Sequence, residues 1–148
     1  MAYLRLIATS AFGIESVLAR ELRELGYTNL ETENGRVTFS GDLTDAVRCN
    51  IHIRTAERIL WEVAKFEARD FEELFQGTLS VRWEDFLPQN AKMHVIGKSI
   101  KSTLYSVPDC QSIVKKAVVE SMKRKYRKNW FEEDGPLFRI EISLLKDT

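Results

Sequence analysis

Residues 28–40 read TNLETENGRVTFS, and this stretch decides the fold of the first half of the chain. Two runs that suit β-strands flank Asn34-Gly35. Asn-Gly is the strongest short hairpin signal, because both residues accept the positive φ that a two-residue turn requires. The stretch therefore predicts two antiparallel strands, residues 28–33 and 36–40, joined by a tight turn.

A strand and a helix are predicted on each side of this hairpin. Residues 3–9 alternate as a strand, and residues 14–25 have apolar side chains at helical spacing. After the hairpin, Asp42 or Thr44 can cap a second helix, and residues 54–66 contain a further alternating strand. The order β-α-β-β-α-β is that of the ferredoxin-like fold, an antiparallel sheet with two helices on one face.

The second half of the chain predicts the order α-α-β-α-β. Its segments are residues 71–79, 83–87, 92–100, 106–128 and 137–145. Alternation holds only in the first part of 92–100, and we expect Gly97 to turn the rest into a flexible loop. Because two strands make a thin sheet, we expect at least one more strand after residue 148. The predicted fold class is α+β (mixed α/β), with a ferredoxin-like domain at residues 1–66 and a second α/β domain, incomplete at its C-terminus, at residues 67–148.

The spacing of residues 106–128, SVPDCQSIVKKAVVESMKRKYRK, predicts an amphipathic helix. Ser106 suits the N-cap, Pro108 lies in the first turn, and Asp109 can return a capping-box hydrogen bond. The apolar positions at helical spacing are Cys110, Ile113, Val114, Ala117, Val118 and Met122. Cations occupy the opposite face and the C-terminal turn, in larger number than compensation of the helix dipole requires.

The charge of the chain is zero overall but unevenly distributed. Residues 1–91 have 10 Lys/Arg and 15 Asp/Glu, residues 92–128 have 10 and 2, and residues 129–148 have 2 and 5. A basic block therefore lies between two acidic segments. Because the block includes a strand and a loop as well as a helix, it favours a polyanionic partner.

The sequence contains no catalytic or metal-binding pattern. His52 and His94 have no Cys, His or carboxylate at ligand spacing, and no glycine-rich phosphate-binding or G-x-S-x-G motif occurs. Cys49 and Cys110 stand outside CxxC spacing, which predicts two free buried thiols in a reducing cytoplasm. No apolar run reaches the length of a membrane span, so we expect neither a membrane nor a metal partner.

A strand end, a loop and a helix face would lie close together in a small α/β domain, and we expect them to form one RNA-binding surface. The candidate residues are Lys92, Lys98, Lys101, Ser102, Lys115, Lys116, Lys123, Arg124, Arg127 and Lys128. Such cations contact phosphates without reading bases, so shape recognition of structured RNA fits better than sequence reading. Tyr105 and Tyr126 could stack on a base, although we favour packing at the helix edge for both.

Several stretches resemble one family. SVPDCQSIVKKAVVESM, preceded by GKSIKSTLY, is similar to the THUMP domain of bacterial RNA methyltransferases, in which a loop rich in Lys and Ser precedes such a helix. FGIESVLARELRELGY resembles the first helix of the ferredoxin-like domain that precedes THUMP. FEELFQG with Trp83-Glu84 resembles the opening THUMP helices, and Asn50, Arg54, Ala56 and Arg58 match the segment that joins the two domains.

The resemblance implies the N-terminal RNA-binding region of a methyltransferase that uses S-adenosylmethionine. The most similar type modifies guanine N2 of large-subunit ribosomal RNA, and its cofactor binds a C-terminal Rossmann-like domain with an Asn/Asp-Pro-Pro-Tyr/Phe motif. That motif is absent here, since Pro88, Pro108 and Pro136 are isolated. We therefore expect no catalytic residue and no cofactor in this chain, and S-adenosylmethionine in a domain that lies outside it.

Three hypotheses remain open on sequence grounds. The first is an RNA-binding module that positions ribosomal RNA for the catalytic domain. The second is a protein-interaction module that docks a partner subunit through the basic helix face. The third is a small transferase with an unrecognised site, which tight binding of S-adenosylmethionine would reveal. The sequence leaves the oligomeric state open.

Overall fold

In the computed structural model, which describes residues 3–148, the first unit ends at Val63 and contains a four-stranded sheet and two helices. Its elements are β1 (Leu4–Thr9), α1 (Glu15–Glu24), β2 (Glu31–Glu33), β3 (Arg36–Gly41), α2 (Leu43–His52) and β4 (Arg58–Glu62). The strand order is β2-β3-β1-β4 and every pairing is antiparallel. This is the arrangement that the β-α-β-β-α-β order predicts, and the ferredoxin-like prediction is confirmed.

One face of this sheet forms the core of the first unit. Leu6 and Ala8 of β1 lie opposite Phe39 and Val37 of β3, and all four side chains are buried. Leu18 and Leu22 of α1 are buried in the same cluster. Because side chains alternate across a strand, this pairing directs the apolar set of both strands to the helical side.

The turn and cap signals fall where the sequence placed them. Asn34-Gly35 joins β2 to β3, with Gly35 at φ 74°, and the Gly35 N–H donates to a Glu15 oxygen at 2.8 Å. That bond, together with one from the Gly13 N–H, lowers the pKa of Glu15 below its usual value. Asp42 is the cap of α2, and it exchanges reciprocal hydrogen bonds with Asp45 in a capping box.

The second unit, Ala64–Thr148, is built around a parallel strand pair. Its elements are α3 (Phe71–Leu79), a 3₁₀ turn (Trp83–Asp85), β5 (Lys92–Ile100), α4 (Val107–Tyr126) and β6 (Leu137–Leu145). β5 and β6 pair along their whole length, from Lys92 opposite Leu137 to Ile100 opposite Leu145. The α-α-β-α-β order is therefore as predicted.

The expectation of a flexible loop after Gly97 is wrong, because β5 continues to Ile100. A Cβ at Gly97 would lie 2.8 Å from Cγ2 of Ile142 and 3.4 Å from Cγ1 of Val107. The glycine therefore permits close packing of β5 against β6 and α4. Lys98, which the sequence placed in that loop, lies on the strand.

The helix α4 begins at the predicted place without the predicted capping box. Ser106 is the N-cap and Pro108 lies in the first turn, but the Ser106 side chain makes no capping hydrogen bond. Pro108 has no N–H to offer, so one of the two usual donors to a capping side chain is absent. Cys110, Val114, Ala117, Val118 and Met122 are buried as predicted, and Ile113 is half-buried.

The buried face of α4 packs against α3, the 3₁₀ turn and β5. Ser121 is also fully buried there, which its polarity did not suggest. Cys49 and Cys110 are free and buried, as expected. Within residues 3–148, none of the helices combines the length and apolar composition that a bilayer crossing requires.

Candidate nucleic-acid interface

The parallel pairing of β5 and β6 separates the predicted cations into two groups. After β5 the chain must return along the sheet before β6 can run in the same direction, and α4 provides this return. The 20 residues of α4 span about 30 Å. The C-terminus of α4 therefore lies at the end of the unit where β5 begins, and its N-terminus lies at the end where β5 finishes.

The largest group of cations lies where α4 ends, and we call Arg124, Lys125, Arg127 and Lys128 the basic end of α4. All four side chains are exposed. Arg127 takes a left-handed conformation, φ 50°, and its N–H donates to the Lys123 carbonyl at 3.0 Å, which closes the helix. Among residues 3–148, no carboxylate oxygen lies within 4 Å of the Arg124, Arg127 or Lys128 cationic nitrogens.

Two lysines near this end make contacts within the second unit. Lys125 Nζ donates to the Glu84 carbonyl at 3.0 Å and lies 5.5 Å from the centre of the Tyr126 ring. Lys123 Nζ lies 2.8 Å from a Glu120 oxygen one turn earlier. Their charges add to the field of the basic end, but their ammonium groups already have partners.

The two lysines in the middle of α4 differ in their surroundings. Lys115 Nζ lies 3.1 Å from Glu133 Oε1, and the same oxygen accepts a hydrogen bond from the Met93 N–H at 3.2 Å. Burial alone would raise the pKa of Glu133, but the Lys115 and Met93 hydrogen bonds outweigh burial and lower it. Lys116 is exposed, with Nζ 5.8 Å from the centre of the Phe75 ring.

Lys92 and Lys98 project from the face of the sheet that α4 does not cover. Met93 is buried beneath α4, and side chains alternate along a strand, so the even-numbered positions of β5 face the other way. Lys98 Nζ lies 3.4 Å from Glu141 Oε1 on β6. Lys92 is exposed at the start of β5, at the same end of the unit as the basic end of α4.

The hydroxyl of Ser102 is already hydrogen-bonded within the loop that follows β5. Its hydroxyl donates to the Ile100 carbonyl at 3.1 Å and accepts from the Asp147 N–H at 3.0 Å. Asp147 in turn accepts from the Thr103 N–H at 2.6 Å, which lowers the pKa of Asp147. Lys101 takes φ 49° in this loop and stays exposed. The loop cation therefore lies at the end of the unit opposite to the basic end of α4, and RNA binding by the strand, loop and helix cations together stays a prediction.

Of the two aromatic residues that the sequence suggested for base stacking, Tyr105 is exposed and Tyr126 is half-buried. Tyr126 donates through its hydroxyl to the Leu87 carbonyl at 3.0 Å and packs edge-on against Phe131, as expected. Tyr105 is 85% exposed, so the expectation that it packs at the helix edge is wrong. Trp130 is 80% exposed directly after the basic end of α4, and the sequence analysis did not single it out. The run KYRKNW, with cations before an indole, was the available signal.

Two surface hollows in residues 3–148 are poorly suited to a nucleoside cofactor. No cluster of three or more His, Cys, Asp or Glu within residues 3–148 is arranged to hold a metal ion. A hollow lined by Arg82, Glu84, Asp85, Arg124 and Lys125 has charged walls, whereas an adenosine group binds between apolar ones. A second hollow, between α2 and β4, measures about 110 Å³, well below the roughly 300 Å³ of small ligand pockets. We therefore assign no step of methyl transfer to these residues.

Two protein-family models match the chain in the order of its two units. Residues 5–60 match the RlmL ferredoxin-like domain, and residues 68–148 match the THUMP domain.

Relatives and solved structures match along almost the whole chain. The chain is 53% identical to "Putative RNA methyltransferase YpsC" of Bacillus subtilis, over 96% of its own length and 37% of that protein. It is 26% identical to "Ribosomal RNA large subunit methyltransferase K/L" of Syntrophotalea carbinolica, over 99% of its length and 21% of that protein. The solved structure titled "SMU.472, a putative methyltransferase complexed with SAH" superposes with a TM-score of 0.92 at 43% identity, covering 99% of this chain and 40% of that one.

The chain spans about two fifths or less of the length of these relatives. The family match, by contrast, extends from residue 5 to residue 148 with a short gap between the two models. This chain belongs to the THUMP-domain family, and its THUMP domain follows a ferredoxin-like domain of the RlmL type.

Proposed function

We propose that this chain is the RNA-binding, substrate-positioning region of an RNA methyltransferase. The observation that supports it most strongly is the basic end of α4, where the side chains are exposed and, within residues 3–148, no carboxylate oxygen lies within 4 Å of the cationic nitrogens of Arg127 and Lys128. One or two cations are enough to compensate the dipole at the C-terminus of a helix, and further like charges beside them repel one another. A polyanion that neutralises them gains affinity through release of its counterions.

The geometry favours contact with the RNA backbone over base reading in the grooves. The cations lie on the end of a helix and on the turn that follows it, and long flexible Lys and Arg side chains reach phosphates from such positions. A-form RNA is recognised mainly through its shape, phosphates and 2′-hydroxyls. Lys92 at the same end of the unit and Lys101 at the other end are further exposed cations that add contacts of the same kind.

We further propose that the substrate is large-subunit ribosomal RNA in the cytoplasm and that the modified atom is guanine N2. The name of the relative from Syntrophotalea carbinolica supports the ribosomal substrate. The guanine position is what the sequence resemblance to this type of methyltransferase implies. In this proposal S-adenosylmethionine and the reacting base meet in a domain outside residues 1–148. The solved structure whose title names SAH leaves room for such a domain, because this chain covers only 40% of that protein.

Binding of the chain to an in vitro transcript of a large-subunit ribosomal RNA fragment tests the proposal. We expect binding at about 50 mM salt that weakens steeply towards 200 mM. A chain that does not bind the transcript at the lower salt concentration would contradict RNA binding and favour docking to a partner subunit. Mass spectrometry of ribosomal RNA from cells that lack the gene tests the finer claim: we expect one N2-methylguanine to disappear from the large-subunit RNA.

A further inference from the structure

The indole of Trp130 is exposed to solvent, whereas the backbone on both sides of it is anchored to the second unit. Its side chain is 80% exposed, while Phe131, the next residue, is buried in the core of the second unit. On the other side, Tyr126 is fixed by its hydrogen bond to Leu87 and by the edge-on contact with Phe131, whose ring centre lies 6.2 Å away. Trp130 therefore lies on a short segment that is anchored at both ends.

The nearest cations in the sequence belong to the basic end of α4. Lys128 precedes Trp130 by two residues and Arg127 by three, so their Cα atoms lie within about 7 Å and 11 Å of the Trp130 Cα. Both side chains are exposed and have no carboxylate partner in the described chain. An exposed aromatic face beside free cations is the combination that binds unpaired nucleotides, because bases stack on the ring and phosphates meet the charges.

We propose that Trp130, Arg127 and Lys128 form a site for one unpaired nucleotide. The base stacks on the indole, and the adjoining phosphates are neutralised by the two cations. This inference rests on the proposed RNA-binding function and narrows its substrate class: the RNA presents an unpaired base beside a helical segment. Since every base has a π-face, the site selects unpaired structure and is tolerant of base identity.

Tyr105 shows why exposure alone does not define such a site. It is 85% exposed, but it lies before the N-terminus of α4, and Lys101 is the nearest cation in the sequence. Single exposed apolar residues are common on protein surfaces. The indole of Trp130 is distinguished by its anchored backbone and by the two adjacent unpaired cations, and Tyr105 serves as a matched control.

The test compares an RNA hairpin with an unpaired loop and a fully paired RNA duplex as probes. We expect Trp130→Ala to weaken hairpin binding by about 5- to 100-fold, because base–aromatic stacking is lost. The salt dependence should stay unchanged, since no charge is removed. Trp130→Phe should bind within a few-fold of the original chain, and Tyr105→Ala should bind like it. Duplex binding should be the same for Trp130→Ala and the original chain.

Charge reversal separates failure of this site from failure of the proposed function. If Trp130→Ala binds the hairpin like the original chain while Arg127→Glu with Lys128→Glu does not, the nucleotide site is wrong and RNA binding at this end of α4 stands. Equal weakening of hairpin and duplex by Trp130→Ala overturns the preference for an unpaired base. If the charge reversals also leave both probes bound, the RNA contact at this end of α4 is wrong and the nucleotide site fails with it.

Discussion

The hydroxyl of Ser121 on α4 donates a hydrogen bond to the carboxylate of Glu84, which is only 7% exposed. The same hydroxyl accepts from the Trp83 N–H at 3.2 Å. Burial alone would raise the pKa of Glu84, but the Ser121 hydrogen bond, with Arg82 and Arg124 nearby, lowers it. Ser121 thereby fixes the C-terminal half of α4 against the 3₁₀ turn, and this half leads into the basic end that we propose binds RNA.

Ser121→Ala should destabilise the chain by about 1–3 kcal/mol, because it leaves a buried carboxylate and a buried N–H without their partner. Ser112→Ala is the matched control: Ser112 lies on the same helix, is exposed, and donates only to the Pro108 carbonyl. Urea unfolding followed by circular dichroism measures both. If the two variants unfold at the same urea concentration, the Ser121–Glu84 contact does not stabilise the fold as described.

Gly77→Ala should reverse the usual sign of a helical glycine substitution. Alanine in a helix interior is normally favoured over glycine by about 0.5–1 kcal/mol. In α3, however, a Cβ at Gly77 would lie 2.2 Å from Cε2 of Phe66. We expect a loss of about 1–3 kcal/mol from overpacking.

The same substitution in a Phe66→Ala background should be neutral or stabilising, because the clashing ring is gone. A double-mutant cycle by chemical denaturation measures this coupling. A Gly77→Ala chain that is more stable than the original in both backgrounds would show that the ring does not constrain α3.

Glu133→Gln should change the pH dependence of stability. The folded pKa of Glu133 lies below the ordinary carboxyl value of 4.5, so its contribution is present above that pH and is lost as the pH falls through the folded pKa. We expect the original chain to exceed the variant by about 1 kcal/mol or less near neutral pH, since the Lys115 pair is partly exposed. Unfolding free energies of both chains over the acidic range measure the difference, which should vanish in acid. A difference that stays constant with pH would exclude this ion pair as its source.

Local signals predicted the first unit well, because its turns are encoded by adjacent residues. The turn at Asn34-Gly35 and the Asp42 cap depend on backbone conformation within a few residues, so the residue types alone predict both. Gly97 was misread because its role depends on Ile142, which is distant in the sequence and pairs with it only through the parallel sheet. Local flexibility was the expected property, and close packing is the observed one.

The candidate site was predicted in composition but not in arrangement. The basic block was evident from charge counts, and α4 was placed correctly. The direction of β6 decides that α4 runs back along the sheet, and this direction cannot be read from residues 92–128 alone. As a consequence, Lys98 and Lys101 lie away from the basic end of α4. The Ser102 hydroxyl accepts a hydrogen bond from the Asp147 N–H within the loop.

The central claim is that the basic end of α4 binds RNA, and a paired charge reversal tests it most directly. The α4 variant carries both Arg127→Glu and Lys128→Glu. The control is an α1 variant that carries both Arg20→Glu and Arg23→Glu, which changes the net charge by the same amount at exposed positions. Fluorescence anisotropy with the large-subunit RNA transcript gives affinity between about 50 and 200 mM salt.

We expect the α4 variant to lose about tenfold or more in affinity at the lower salt concentration and less at the higher one, with a salt slope reduced by about 1.4–1.8. The α1 variant should bind within about threefold of the original chain, with the slope unchanged, since it removes no contact. Equal losses in the two variants would mean that only net charge matters. An α4 variant that binds like the original chain would contradict the claim.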